Sequence, residues 1–209
     1  AESELSTQVI AKQDPLEKVG NLAMVDGRMT IIEYSDLPEP VAREQNADGS
    51  LYLWAGNTGI HVFDMPFLRR MTGTASALPF HLARKKVPYI DAAGKLVEPD
   101  VPNALKFERF IFDLLPAAER AFVMEVDARR AFAPVKNAPG DARDTPESVQ
   151  AQMIQMHKEW LGSAGARVDP GVAVEISPLF ALDESDVALR QREGRLPRAL
   201  HVSQPRFFC

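Results

Sequence analysis

Residues 19–34 read VGNLAMVDGRMTIIEY, two apolar runs separated by Asp26-Gly27. A two-residue turn of this kind needs positive φ at both central positions, which aspartate tolerates and glycine adopts freely. Asp-Gly between two apolar runs is therefore a strong signal for a tight β-hairpin. We predict two antiparallel strands here, with Glu33 at the end of the second strand.

Further elements are predicted on the C-terminal side of this hairpin. Residues 38–46 are polar and bounded by proline, which favours a short helix, and residues 51–54 are typical of a buried strand. The sequence Ala-Gly-Asn-Thr-Gly at residues 55–59 predicts a loop after that strand. Aromatic and apolar side chains at a spacing of four predict a helix over residues 63–71.

The same alternation continues to the end of the chain. Residues 104–115 have apolar side chains at helical spacing and stop before Pro116, which predicts an amphipathic helix. Thr145-Pro146 predicts the start of another helix, running to about Trp160, because threonine is a good N-cap and proline suits the first turn. Strands are predicted over residues 87–90, 121–126 and 172–176. Strands alternating with helices predict the α/β class.

Composition excludes several classes of protein. The chain has 209 residues, of which 45% are hydrophobic and 25% charged, and a net charge of −5 at pH 7. These values are typical of a soluble globular protein and give no electrostatic reason to bind nucleic acid or an anionic membrane. No apolar run approaches the roughly 20 residues that span a bilayer. Cys209 is the single cysteine, so we expect a reducing, cytoplasmic location.

The sequence lacks the common motifs of catalysis and metal binding. It has no HExxH, paired CxxC, GxGxxG or Walker phosphate loop. His61, His81, His157 and His201 are scattered without metal-ligand spacing, which is typical of surface or core histidines. We therefore predict no metal site formed by these residues.

Four side chains are candidate ligand contacts, and the residues alone leave an ordinary structural role open for each. Glu33 can accept hydrogen bonds from two sugar hydroxyls. Asn57 lies between glycines that would let the backbone approach a ligand. Phe112 falls off the apolar face of the predicted helix and contacts either a ligand or a neighbouring layer. Lys136, at the start of the Pro- and Gly-rich segment 136–144, can stabilise charge on a phosphate.

Nine short motifs occur in a fixed order over nearly the whole chain. They are KVG (18–20), VDG (25–27), IEYSD (32–36), AGNTGIHVF (55–63), VPY (87–89), PDVPN (99–103), KFERFIFD (106–113), PVKN (134–137) and EISPL (175–179). Together they resemble the eukaryotic-type UDP-N-acetylhexosamine pyrophosphorylases of the UDP-sugar pyrophosphorylase family. The resemblance implies the C-terminal half of a Rossmann-like (GT-A-like) nucleotidyltransferase domain over residues 1–164. A small C-terminal α+β segment is expected over residues 165–209.

The resemblance also implies roles for particular residues. Gly20, Glu33 and Asn57 match positions that contact the sugar in that family. Phe110 and Phe112 match the two phenylalanines that shape the pocket for the N-acetyl group. We therefore expect these five residues to bind substrate.

Three more residues match the motifs. Lys136 matches the lysine that contacts the phosphates and is the expected catalytic cation, whereas Tyr34 and His61 are expected in a supporting role at the substrate. The implied reaction is attack by an oxygen of a sugar 1-phosphate on the α-phosphorus of UTP. It releases pyrophosphate and forms a UDP-sugar, UDP-N-acetylglucosamine being the product most expected, with Mg²⁺ as cofactor.

The chain departs from the family pattern in one respect. The glycine-rich triphosphate loop, the residues that read uracil and the metal-binding aspartate are not found in it. We therefore expect the 209-residue chain to be inactive alone, and a separate nucleotide-binding half is a possible partner. Two alternatives remain open: a non-catalytic module or subunit that binds sugar nucleotides, and a pyrophosphorylase for UDP-glucose or other UDP-sugars.

Overall fold

The computed structural model describes residues 2–74 and 78–209. The chain divides into two compact units, Ala1–Val126 and Asp127–Cys209. The predicted boundary after residue 164 thus differs from the division observed. The long helix Pro146–Ser163 contacts the strand Val174–Ile176 and the helix Glu184–Arg192, so it shares a core with segments that follow it.

In the described part of the first unit there are nine strands. They are β1 (Leu5–Ala11), β2 (Asn21–Val25), β3 (Arg28–Ile32), β4 (Ala55–Phe63), β5 (His81–Lys85), β6 (Tyr89–Ile90), β7 (Leu96–Val97), β8 (Ala104–Glu108) and β9 (Ala121–Val126). Its helices are α1 (Glu39–Ala42), α2 (Met65–Thr72) and a 3₁₀ helix (Ile111–Ala117).

A five-stranded sheet in the order β3-β2-β4-β1-β9 forms the centre of this unit. The β1–β9 pair is parallel and the other pairs are antiparallel, so the sheet is mixed. Strands β5 and β8 form a separate antiparallel ribbon, as do β6 and β7. The predicted mixture of helices and strands is confirmed, around a central mixed sheet.

One face of the sheet is covered by α2 and the 3₁₀ helix. Leu5 of β1 and Phe67 of α2 have no exposed surface, and both pack in one apolar cluster with Leu114 and Leu115. The proline at the second position of α2 is tolerated because the first turn needs no N–H donor there. This packing fixes the 3₁₀ helix, and with it Phe112 of the KFERFIFD motif, over the sheet.

The predicted hairpin is confirmed. Strands β2 and β3 pair antiparallel, with Val25 opposite Arg28. Asp26 and Gly27 have φ values of +49° and +75°, as a two-residue turn of this type requires.

The prediction for residues 51–59 is wrong. Leu51 forms only an isolated bridge with Gln45, and the strand β4 occupies Ala55–Phe63, where a loop was expected. Both glycines that indicated a loop lie within this strand. The strand accommodates Gly59, whose φ is +82°, by forming a β-bulge there.

The prediction of a helix over residues 104–115 is also wrong. Ala104–Glu108 is strand β8, and Pro116 lies inside the 3₁₀ helix instead of following a helix. The strand forms because β5 supplies its ladder of hydrogen bonds, a tertiary contact that overrides the local pattern. The argument that Phe112 leaves the apolar face of an α-helix therefore fails.

The second unit is built around one long helix. Its elements are α3 (Ala128–Ala131), α4 (Pro146–Ser163), β10 (Arg167–Val168), β11 (Val174–Ile176), α5 (Glu184–Arg192), β12 (His201–Val202) and β13 (Arg206–Phe208). Thr145 caps α4 as predicted and forms a reciprocal capping box with Ser148. Strands β10–β12 and β11–β13 form two parallel pairs. No helix in the described residues combines the length and apolarity needed to cross a membrane.

A buried carboxylate joins the ends of several elements in the first unit. Both oxygens of Glu4 accept hydrogen bonds from the guanidinium of Arg70, at 2.8 and 3.2 Å, and one also accepts from the Glu119 N–H at 2.7 Å. These hydrogen bonds lower the pKa of Glu4 from 4.5 to about 2, and the one from Arg70 has the largest effect. Glu4 therefore fixes helix α2 against the start of β9 as an anion.

We predict that Glu4→Gln reduces the acid sensitivity of the fold. Because folding lowers the pKa of Glu4, its stabilisation is present above pH 4.5 and is lost as the pH falls towards about 2. Urea unfolding at intervals between pH 2 and pH 6 should show a shallower decline in unfolding free energy for Glu4→Gln. Glu98→Gln, at an exposed carboxylate, is the charge-matched control; equal slopes in wild type and Glu4→Gln would contradict the prediction.

Candidate functional site

Gly20, Glu33 and Asn57 meet at one end of the central sheet, and we call them the glycine cluster. A Cβ atom on Gly20 would lie 3.2 Å from Glu33 Oε1, 3.6 Å from Asn57 Cβ and only 2.7 Å from Ile31 Cγ2. The Gly20 carbonyl accepts a hydrogen bond from the Asn57 N–H at 2.8 Å. Three predicted sugar contacts are thus adjacent, and only glycine fits between the other two.

A bulge in β4 places Asn57 close to His61. Val9 pairs with Asn57 and Thr7 pairs with His61, so one residue of β1 stands opposite three residues of β4. Asn57 and His61 are therefore separated along the sheet by the length of two strand residues, about 7 Å, although they are four residues apart in the chain. Cross-strand partners point to the same face, so Asn57 and His61 both project onto the face that Thr7 and Val9 occupy.

Phe110 and Phe112 form a stacked pair, which we call the aromatic pair. Their ring centroids are 4.8 Å apart and their planes differ by 10°. Phe112 is buried in the apolar cluster that covers the sheet, while its ring lies 6.4 Å from that of His61. The aromatic pair and the glycine cluster therefore occupy the same face of the sheet, joined through strand β4.

His61 carries buried polar atoms beside this pair. Among the residues that the structure describes, neither ring nitrogen of His61 nor the hydroxyl of Thr7 has a hydrogen-bond partner. Burial lowers the pKa of His61, so the ring is neutral near pH 7 and offers one donor and one acceptor. Buried polar atoms of this kind need a partner, and a polar group of a ligand is one candidate.

A buried lysine supports the glycine cluster from the opposite side of β4. The Lys12 ammonium donates to the Asn21 side-chain oxygen and, at 3.2 Å, to the Pro15 carbonyl. Lys12 Cγ lies 3.1 Å from where a Cβ on Gly56 would stand. Burial lowers the pKa of Lys12. No local pattern in the sequence indicates a role for Lys12, since a lysine after an apolar strand is ordinarily exposed.

Tyr34 follows Glu33 directly and is 44% exposed. The turn that contains both is closed by a hydrogen bond of 3.0 Å from the Asp36 N–H to the Glu33 carbonyl. Tyr34 therefore lies beside the glycine cluster and outside the core.

Lys136 belongs to the second unit and is exposed. The backbone N–H groups of Lys136 and Asn137 donate to the Asp144 carbonyl at 2.8 and 3.1 Å, which closes the loop 136–144. Asp144 has φ of +56° and directly precedes the N-cap of α4. The loop is thus anchored at its base, and contact of Lys136 with a phosphate stays a prediction.

The described residues do not suit a metal ion. In the described ranges, no three side chains of histidine, cysteine, aspartate or glutamate are grouped so as to bind one. Mg²⁺ prefers several oxygen ligands in near-octahedral geometry. We therefore assign no step of chemistry to a metal held by these residues.

Comparison with known sequences identifies the family. A family model described as UTP–glucose-1-phosphate uridylyltransferase matches residues 1–202. The chain belongs to this family. Related proteins include the UDP-N-acetylglucosamine pyrophosphorylase of Saccharomyces cerevisiae, which is 36% identical over 178 residues, and the human UDP-N-acetylhexosamine pyrophosphorylase-like protein 1, which is 34% identical over 225. The resemblance inferred from the nine motifs is confirmed.

Solved structures agree with this assignment. A structure from Entamoeba histolytica assigned as a UDP-N-acetylglucosamine pyrophosphorylase covers 100% of the chain, with a TM-score of 0.80 and 25% identity. The uridine diphosphate N-acetylglucosamine pyrophosphorylase of Trypanosoma brucei, crystallised with an inhibitor, covers 97% with a TM-score of 0.72 and 24% identity. Because its identity is below 25%, the Trypanosoma brucei structure supports only the fold.

This member of the uridylyltransferase family matches only part of each relative. The matched region spans 83% of the chain but 37% of the yeast protein, and 98% of the chain but 44% of the human one. It spans 50% of the Entamoeba chain. The chain therefore corresponds to two fifths to one half of the length of these relatives.

We predict that Gly20→Ala disrupts the glycine cluster. The added methyl group would overlap Ile31 and crowd the Glu33 carboxylate, so we expect a loss of about 1–3 kcal/mol in unfolding free energy. Chemical denaturation followed by circular dichroism measures this loss. Gly73→Ala is the matched control, because its Cβ would approach nothing closer than 3.5 Å; equal stability of the two variants would contradict the prediction.

Proposed function

We propose that the chain is the sugar-binding part of a uridylyltransferase that forms UDP-N-acetylglucosamine. The proposed reaction joins UTP to N-acetylglucosamine 1-phosphate and releases pyrophosphate. The observation that carries the proposal is the presence of the glycine cluster and the aromatic pair on one face of one sheet. Polar groups beside stacked aromatic rings suit a hexose that carries both hydroxyls and an acetyl group.

In this proposal the glycine cluster orients the hexose ring. The Glu33 carboxylate accepts hydrogen bonds from adjacent hydroxyls, and the Asn57 amide both donates and accepts. Gly20 lets the sugar approach the backbone, where any side chain would interfere. Tyr34, which is half exposed next to Glu33, is assigned to the edge of the same site.

The aromatic pair is assigned to the acetyl group. The rings of Phe110 and Phe112 offer an apolar surface to its methyl group, while His61 can supply a polar contact to its amide. An acetyl pocket of this kind favours N-acetylhexosamines over hexoses that carry a hydroxyl at the same carbon.

Lys136 is the proposed catalytic cation. When a phosphate oxygen of the sugar attacks the α-phosphorus of UTP, the bond to the pyrophosphate oxygen breaks and negative charge develops on the leaving group. An ammonium held by the anchored loop 136–144 would stabilise that charge, and no covalent enzyme intermediate is needed. The rate then depends on alignment of the two substrates.

Three further features belong to the proposal. The sheet and its helices are interpreted as part of a Rossmann-like, GT-A-like nucleotidyltransferase domain. Mg²⁺ is expected to accompany the nucleotide, bound by ligands that the described residues do not supply. A cytoplasmic location is consistent with a single cysteine, Cys209, which forms no disulfide within the chain.

A second candidate is a non-catalytic module that binds a sugar nucleotide and pairs with a separate nucleotide-binding half. An exposed apolar face of the central sheet favours this candidate. Val62, Phe122 and Met124 share that face, because Ser6 pairs with the first two and Gln8 with the third. These side chains are 68%, 48% and 49% exposed, an apolar surface that a partner could cover.

A third candidate is a pyrophosphorylase for UDP-glucose, in line with the description of the family. We predict that UDP-N-acetylglucosamine raises the Tm of the chain more than UDP-glucose does at equal concentration, because only the former fills an acetyl pocket. Equal shifts would favour the UDP-glucose reading. No shift with either ligand would reject the proposed site.

A substitution in the aromatic pair tests the pocket directly. We expect Phe110→Leu to reduce the preference for UDP-N-acetylglucosamine over UDP-glucose by about tenfold, since less apolar surface meets the acetyl methyl. Isothermal titration calorimetry gives both Kd values. Phe207→Leu is the matched control, because Phe207 is 56% exposed in the second unit and should leave the ratio unchanged.

Turnover separates the enzyme from the binding module. With UTP and N-acetylglucosamine 1-phosphate, we expect the 209-residue chain to release no more pyrophosphate than Lys136→Ala, since the sequence has no glycine-rich triphosphate loop. A rate that Lys136→Ala abolishes would contradict this expectation and establish catalysis by the chain itself.

A further inference from the structure

His81, at the start of β5, contacts two carboxylates and one aromatic ring. Its Nε2 lies 2.8 Å from Oδ2 of Asp113, and its Nδ1 lies 3.5 Å from Oδ2 of Asp36. The ring centroid is 4.9 Å from that of Phe110. The His81 side chain is 26% exposed and that of Asp113 only 12%, so solvent screens the closer contact little.

Both carboxylates belong to segments that carry candidate sugar contacts. The Asp36 N–H donates to the Glu33 carbonyl at 3.0 Å, so these two residues share one turn. Asp113 follows Phe112 in the chain, and its N–H donates to the Phe110 carbonyl at 3.1 Å. His81 therefore links the segment of the sugar-binding carboxylate to the segment of the aromatic pair.

We propose that His81 is a positioning residue that holds the Glu33 turn and the aromatic pair at a fixed separation, and thereby sets the preference for N-acetylated hexoses. The specificity part of this inference rests on the proposed function, because it takes the two segments to contact one sugar. A hexose ring and its acetyl group have a fixed spacing, so a site that selects for both must hold its two halves rigidly.

The protonation state of His81 controls this link. An imidazolium donates from both nitrogens and can bind Asp113 and Asp36 together, whereas a neutral ring donates from only one. Burial acts to lower the pKa of His81, but the hydrogen bonds and charges of Asp113 and Asp36 outweigh it and raise the pKa above 6.5. Across the β5–β8 ribbon, His81 pairs with Glu108, which is itself bound to Lys106 at 2.7 Å.

The sign of the pH dependence follows from the raised pKa. The state in which His81 contacts both carboxylates is favoured below pH 6.5 and is lost as the pH rises through the raised, folded-state pKa of His81. Above that pH the neutral ring donates to only one carboxylate, so the polar link through His81 between the Glu33 turn and the segment of the aromatic pair is lost. The preference for the acetylated sugar should therefore decline between pH 6 and pH 9.

The first experiment measures binding by isothermal titration calorimetry at pH 6, 7, 8 and 9. For wild type, we expect the Kd ratio of UDP-glucose to UDP-N-acetylglucosamine to fall as the pH rises. His81→Gln should lower that ratio about tenfold at pH 6, the effect of losing one charged hydrogen bond, and make it independent of pH. His201→Gln is the matched control, because it breaks a histidine–aspartate contact of 2.8 Å to Asp169 in the second unit.

A second experiment needs no ligand and no variant. In a ¹³C- and ¹⁵N-labelled chain, NMR should show the His81 ring titrating above pH 6.5, with the Glu33 amide and the Phe110 ring shifting at the same midpoint. Separate midpoints, or no response at Glu33, would overturn the link even if the fold is intact. If wild type binds neither sugar nucleotide but the midpoints coincide, the proposed function and the specificity part fail while the positioning link stands.

A merely structural role for His81 predicts a different outcome. His81→Gln would then weaken both ligands equally and leave the pH profile of their ratio unchanged. That result would reject His81 as a determinant of specificity, whatever its effect on Tm.

Discussion

The close approach of three strands at Gly20 is the constraint on which the candidate site depends. A Cβ atom at this position would lie 2.7 Å from Ile31 Cγ2 and 3.2 Å from Glu33 Oε1, so any larger residue would push these side chains away from the junction. The hydrogen bond from the Asn57 N–H to the Gly20 carbonyl fixes the same junction through the backbone. The atoms that a Cβ at Gly20 would approach are all side-chain atoms, so a larger residue there would displace the carboxylate and the amide from their positions side by side.

The other features of the first unit extend this junction. The bulge in β4 shortens the path between Asn57 and His61, so the aromatic pair reaches the same face of the sheet without a longer insertion. On the opposite side of β4, the buried ammonium of Lys12 donates hydrogen bonds to two neutral acceptors, the Pro15 carbonyl and the Asn21 side chain. Burial lowers the pKa of Lys12, and the nearby charges of Glu17 and Asp14 act in the opposite direction. His81 adds a polar link between the two halves of the site.

Much of the site could be predicted from sequence, because the motifs that carry it are short and local. Glu33 stood out as a carboxylate at the end of a predicted strand and Asn57 as an amide between glycines, and the family resemblance named Gly20, Phe110 and Phe112. The physical argument for Phe112 was wrong, however, since the segment before it is a strand paired with β5 and not an α-helix. The contacts of His81 with Asp113 and Asp36 could not be predicted. Asp113 is 32 residues from His81 in the chain and Asp36 is farther still, so nothing in the local pattern indicates these contacts.

Elements whose causes lie within a few residues could be predicted from the amino-acid order alone. The Asp26-Gly27 hairpin, strand β9 and the Thr145 cap of α4 depend on turn chemistry, apolar runs and capping within a few residues, so they were predicted correctly. Three other outcomes follow from long-range contacts: the glycines of residues 55–59 belong to a bulged strand, Ala104–Glu108 is a strand, and α4 shares a core with the C-terminal segments. Each of these outcomes depends on a hydrogen-bonding or packing partner distant in sequence, and local propensity does not encode the identity of that partner.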